Sequence, residues 1–237
     1  MSRNRTAVNL GWQANGVPPL ENGDRLSRAE FERRYQAMPP HTKAELVEGV
    51  VHMPSPVRAR IHGRPHGDIM TWLGTYVSGT PGTDYADNST VKLDLHNEPQ
   101  PDAILYVEPE CGGRIRINDE EYVESAPELV VEVAASSSSI DLGPKKTVYQ
   151  RNAVLEYLVW RVLDGAIDWF ILRDAGYEQV PADAAGVVRS ETFPGLWLDR
   201  PAMLRRDLAA VLQLVQQGLA APEHTQFVAG LQAARQS

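Results

Sequence analysis

Cysteine is almost missing: Cys111 stands alone among 237 residues, so no intrachain disulfide can form and a reducing, cytoplasmic setting is expected. Long apolar runs are also missing. No stretch reaches the roughly 18 apolar residues of a membrane span. Residues 1–23 carry Arg3 and Arg5 but no run long enough for a secretory core, so neither spanning nor secretion is expected. Positive charge is in deficit. A formal net charge of -8 excludes a protein that coats nucleic acid by bulk electrostatics, since such binders displace counterions from phosphates with basic faces. Contact with nucleic acid must then be local. The one local basic run is Arg58, Arg60, His62, Arg64 and His66 beside Pro54, Pro56 and Pro65, and on charge alone it reads as a solvated loop. No Gly-x-Ser-x-Gly elbow surrounds the serines at 136–139, which therefore read as a turn rather than a nucleophile. His62 and His66 have no evident third ligand, which argues against zinc.

What is present suits one globular domain: 43% of residues are apolar, enough for a sizeable core. Residues 1–24 are polar and rich in Gly, Asn and Pro, and read as a flexible arm. Ser27 and Glu30 form a capping box, and Phe31, Tyr35 and Met38 recur at helical spacing until Pro39-Pro40. The segment 45–53 predicts short strands turning at Glu48-Gly49 and ended by Pro54. A helix is expected over 61–77 and strands over 85–95 and 102–107, followed by an exposed excursion over 109–126. The run 128–134 is the strongest strand signal, nearly continuous in apolar residues as a strand covered on both faces must be. A short helix at 144–152 precedes strands at 156–162 and 167–172 and weaker ones at 177–180 and 187–192. Leu204, Leu208, Val211, Leu212, Val215 and Leu219 repeat at three and four residues, the stripe of a docked helix. The order predicts an α/β or α+β sheet with helices packed on it. Residues 25–200 form the main domain, and helices over 201–237 pack on it or in a dimer contact, which makes a homodimer an open expectation.

Glu132 is the one charged side chain inside 129–134. Burying an ionised carboxylate costs several kcal/mol or shifts its pKa, so something must compensate it. Asp102, just after Pro101, stands at the mouth of another strand; if the two strands are neighbours, both carboxylates can share a divalent cation, whose preferred ligands are hard oxygens. Pro144 fits the first position of a helix, which puts Lys145 and Lys146 in a first turn where the dipole disfavours cations. An adjacent carboxylate pair or a phosphate would explain a lysine there. The plainer reading from the residues alone has Lys145 simply pairing with Glu132 or Asp141 while Lys146 is solvated.

Taken in order, Pro101-Asp102, Glu132-Val133-Ala134 closing an apolar strand, Asp141 with Lys145 and Tyr149 at four-residue steps, and Glu156-Tyr157 opening the next strand resemble the Uma2 family of the PD-(D/E)XK nuclease superfamily. The segment Glu45-Leu-Val-Glu48-Gly49, followed by Met53-Pro54-Ser55-Pro56 and His62, is similar to that family's N-terminal signature, and the likeness covers about residues 25 to 180. It implies a restriction-endonuclease-like mixed central sheet flanked by helices. It also implies Asp102 and Glu132 as ligands of magnesium or manganese, and Lys145 as the cation that orients or activates attacking water. Glu45 or Glu48 would be a further acidic member and His62 a close neighbour. The implied reaction is phosphodiester hydrolysis, with DNA as substrate. Ala134 stands where the superfamily's classical motif keeps its lysine, so that role falls to Lys145. The acidic charge and the Gly143-Pro144 departure keep a second expectation open: a non-catalytic binding or scaffolding module on the same fold.

Overall fold

Alternate residues of a strand point to opposite faces, so a strand covered on both sides can afford almost no polar side chain. Leu129–Ala134 obeys this: all six residues are buried. In the computed structural model, which describes residues 16–53 and 58–236, this run is an inner strand of a six-stranded sheet. Helix α1 (Arg28–Tyr35), capped by Ser27, precedes the hairpin of β1 (Glu45–Val47) and β2 (Val50–His52). A π-helical turn, Ala59–Gly63, runs into α2 (Arg64–Ser78). Strands β3 (Thr83–Asp87), β4 (Val91–Lys92), β5 (Ala103–Val107), β6 (Arg116–Ile117), β7 (Val123–Glu124) and β8 (Leu129–Ala134) follow. Next come α3 (Ser138–Ile140), a π-turn over Asp141–Lys145 and α4 (Lys146–Arg151). The chain ends with β9 (Glu156–Arg161), β10 (Ala166–Arg173), β11 (Gly176–Gln179), β12 (Val187–Arg189), β13 (Trp197–Asp199), α5 (Arg200–Arg205), α6 (Leu208–Leu219) and α7 (Pro222–Arg235).

The sheet order is β11-β10-β9-β8-β5-β3; β8 and β9 run parallel and the other neighbours antiparallel, giving the expected mixed sheet. On one face Leu129, Val131 and Val133 pack with Trp72 and Tyr76 of α2 and with Val211 and Val215 of α6. On the other, Val130 and Ala134 pack with Tyr149 of α4 and with Ile115 and Val123 of the excursion. Val211 and Val215 of the α6 stripe are thus covered by this chain's own core.

Several local expectations change. Arg58 to His66 form the π-turn and the start of α2 rather than a loop, because Pro65 fits a helix's first positions, where no amide partner is lost. The strand expected over 85–95 breaks into β3 and β4 at Asn88, which takes a left-handed conformation (φ 48). Residues 1–15 of the arm and Pro54, Ser55 and Pro56 lie outside the described residues. The arm's remainder is docked: Leu20 is buried with Phe31, Leu46 and Val51, and Gly23 N–H donates to the Val51 carbonyl. Among the described residues no helix is long and apolar enough to cross a membrane.

Candidate active site

Strand parity places the first carboxylate. Val130 and Ala134 face α4, so Glu132 between them does too, and its side chain is buried against that helix. The antiparallel register Ala103↔Val131 and Ile104↔Val130, continued by one residue, sets Asp102 opposite Glu132. The expected adjacency of these two strands is therefore met. Asp102 Oδ2 accepts a 2.7 Å hydrogen bond from Val133 N–H, and its Oδ1 lies 3.1 Å from His62 Nε2.

Lys145 reaches the same place by the route expected. The backbone leaves the helical region at Gly143 (φ -105, ψ -107), which separates the turn beginning at Ser138 from a second helical segment that opens at Pro144. Lys145 therefore stands in a first turn, where the dipole disfavours a cation. What holds a buried ammonium there is carboxylate. Lys145 Nζ lies 2.8 Å from Glu45 Oε2, 3.0 Å from Glu132 Oε1 and 3.8 Å from Asp141 Oδ1. Tyr149, one turn on, donates its hydroxyl to the same Glu132 Oε1 at 3.0 Å.

The hairpin turn sends Glu45 and Glu48 in different directions. Glu48 (φ 52) and Gly49 (φ 70) both take the left-handed conformation of a type I′ turn, which sends Glu48 outward to an ion pair with Arg151. Glu45 points inward, and its Oε2 also accepts from Gln100 N–H. A cavity of about 400 Å³ joins Glu45, His62, Asp102, Glu132, Asp141 and Lys145. Of the six residues singled out in the sequence, Glu48 alone is absent from its lining.

The electrostatics follow from this crowding. Burial alone would depress the Lys145 ammonium, but Glu132, Glu45 and Asp141 hold its pKa well above the ordinary value. Burial, with help from Asp141, Asp102 and Glu45, pushes Glu132 upward. Burial raises Asp141 to about 6 against the pull of Lys145 and Ser137. Asp102 goes the other way: burial would raise it, but the His62 hydrogen bond and charge and the Val133 amide keep it below its usual range. His62 is raised in turn, chiefly by its bond to Asp102. The cluster carries more acidic groups than its cations neutralise.

Several pocket residues escaped the sequence reading. Lys43, exposed at the rim, donates to Asn88 Oδ1 at 3.2 Å, and Ser137 donates to Asp141 Oδ2. Gln100 ties the pocket wall to α1 and to the start of β4, its amide reaching Tyr35 and Thr90 hydroxyls. A polar residue locked between Pro99 and Pro101 was the available signal for Gln100. Nothing local marks Lys43.

The donor chemistry fits a hard divalent cation, since Asp102, Glu132, Glu45 and Asp141 offer only carboxylate oxygens to one cavity. Among the described residues, no group of three or more His, Cys, Asp or Glu is arranged to hold a metal ion. The space between Glu45 and Glu132 is taken by the Lys145 ammonium.

A search among curated proteins finds no match. Among solved structures, the chain is similar to one described as a putative nuclease belonging to DUF820 from Anabaena variabilis ATCC 29413. The TM-score is 0.53 at 11% identity, over 79% of this chain and 97% of that one. At that identity the likeness establishes the fold. A family model described as "Putative restriction endonuclease" matches residues 28–201, and on that extent of match the chain belongs to the Uma2 family.

Proposed function

We propose that this nuclease-like chain is a magnesium- or manganese-dependent endonuclease that hydrolyses phosphodiester bonds in DNA. The observation that carries the reading is the opposition of Asp102 and Glu132 on paired strands, with the Lys145 ammonium 3.0 Å from Glu132 in the same cavity. A divalent cation held by Asp102 and Glu132 would supply polarisation of a phosphoryl oxygen and acidification of an attacking water. Lys145 faces the developing negative charge of the pentacoordinate phosphorus, a role suited to a cation fixed in a water-poor site. His62 and the Val133 amide hold both Asp102 oxygens and fix the carboxylate's orientation. Tyr149 does the same for Glu132. Lys43, at the rim, is placed to meet a substrate phosphate before it reaches the acidic floor. The exposed Arg58, Arg60 and Arg64, on the elements that carry His62, supply local positive charge for flanking phosphates on an otherwise acidic protein.

The test is calorimetric titration of the full chain with manganese beside Asp102→Ala and Glu132→Ala. The reading expects binding by the intact chain and its loss in both variants. Binding that survives both substitutions removes these residues from the metal site.

A second reading, a non-catalytic binding or scaffolding module, is favoured by one observation: Lys145 already compensates Glu45 and Glu132, as a purely structural ion cluster would. Absence of manganese binding, without or with added DNA, would favour it.

A further inference from the structure

The cation this cluster holds is its own. Lys145 keeps only 6% of its side chain exposed, and its ammonium contacts oxygens of Glu45 and Glu132 that a divalent cation would also seek. Without it, four carboxylates from β1, the start of β5, β8 and the π-turn would face one another across a single cavity, a strongly repulsive arrangement away from bulk water. Resting on the metal-dependent reading above, we infer that Lys145 is a tethered counter-ion that competes with the divalent cation for Glu132 and Glu45. It holds the carboxylates together in the absence of metal, and a divalent cation bound by Glu132 would take the place of the ammonium.

The turn that carries Lys145 is built to allow this. Gly143 departs from helical geometry, and a side chain there would meet nothing within 4 Å. Asp141, on the same turn, lies 3.8 Å from the ammonium, with one oxygen taken by Ser137, and offers the displaced cation a second carboxylate. The notion of a lysine fixed solely for catalysis leaves these features without a use. Competition gives each of them one.

The experiment is a titration with manganese chloride alone, on the full chain and on Lys145→Met, followed by calorimetry and by the metal-induced rise in melting temperature. Removing a unit positive charge from the cluster should tighten manganese binding by about tenfold or more. The variant's melting temperature should also rise further with metal than that of the intact chain. If the intact chain binds and Lys145→Met binds equally or more weakly, the competition is overturned while the metal-dependent reading stands. If neither binds, both fall. Binding by the variant alone upholds the competition and removes metal dependence from the intact chain. Because Lys145→Met leaves buried carboxylates uncompensated, Lys145→Gln, which keeps a neutral N–H donor, takes its place if the methionine variant shows no cooperative melt; the outcomes read the same way.

Discussion

Glu98 illustrates how a single buried carboxyl reports on the chain around it. It is 3% exposed, sits in the Leu46 bridge that joins the hairpin to the segment before Asp102, and leaves Oε2 without a partner. Burial and a hydrogen bond to Glu32 raise its pKa to about 8, while Glu32 is lowered, so the two carboxyls share one proton. A pKa raised on folding means the folded chain keeps a proton that the unfolded chain releases near 4.5. That stabilisation is complete below pH 4.5 and is lost as pH rises through about 8. The slope contributed by this proton is at most about 1.4 kcal/mol per pH unit. Urea unfolding of Glu98→Gln should therefore show a flatter decline in stability between pH 5 and pH 8.5 than the unaltered chain; parallel curves would mean Glu98 is ionised in the fold. At the site itself, Glu132 was legible in the sequence because an acidic residue inside an apolar strand demands a partner. Asp102 was legible only given a neighbouring strand, which the register supplies. Glu45 and Glu48 could not be told apart, because the left-handed turn that sends Glu48 outward is a property of backbone, and both glutamates lie in the same short hairpin segment.

Helix α6 carries a similar lesson among elements. Its stripe at Val211 and Val215 follows from helical period, so existence, face and burial could all be read from sequence. Its close approach to the loop before β13 could not. A Cβ on Gly218 would stand 2.1 Å from the Gly195 carbonyl oxygen, so the helix seats against backbone where only glycine fits. Alanine is the better helix former by about 1 kcal/mol. Gly218→Ala should nonetheless destabilise the chain, by about 1–3 kcal/mol in chemical denaturation, as overpacking does. A neutral or stabilising result would show that α6 does not seat this tightly. The turn at Lys145 was legible in part. Pro144 carries the signature of a helix start, and the backbone kinks at Gly143 so that a helical segment does open there. The turn from Ser138 before the kink and the ion cluster that buries Asp141 and Lys145 depend on tertiary contacts that no window of sequence contains.

For the whole molecule, net charge and site charge answer different questions. A chain of net charge -8 has no bulk attraction for DNA, so on the proposed function contact with DNA would depend on Lys43 and the arginines about α2. The mixed sheet does the assembling: it pairs β5 with β8 to oppose Asp102 and Glu132, and the hairpin and the turn before α4 bring Glu45 and Lys145 into contact. Sequence order revealed the helices and strands, and the family resemblance supplied which of them meet. The most direct measurement is cleavage of plasmid DNA by the full chain with magnesium or manganese, run beside Asp102→Asn. The account predicts metal-dependent nicking or linearisation that the substitution lowers by about a hundredfold or more, in the range seen when a group that organises the reacting centre is removed. Cleavage that Asp102→Asn leaves intact, or none by the unaltered chain with either metal, would contradict it.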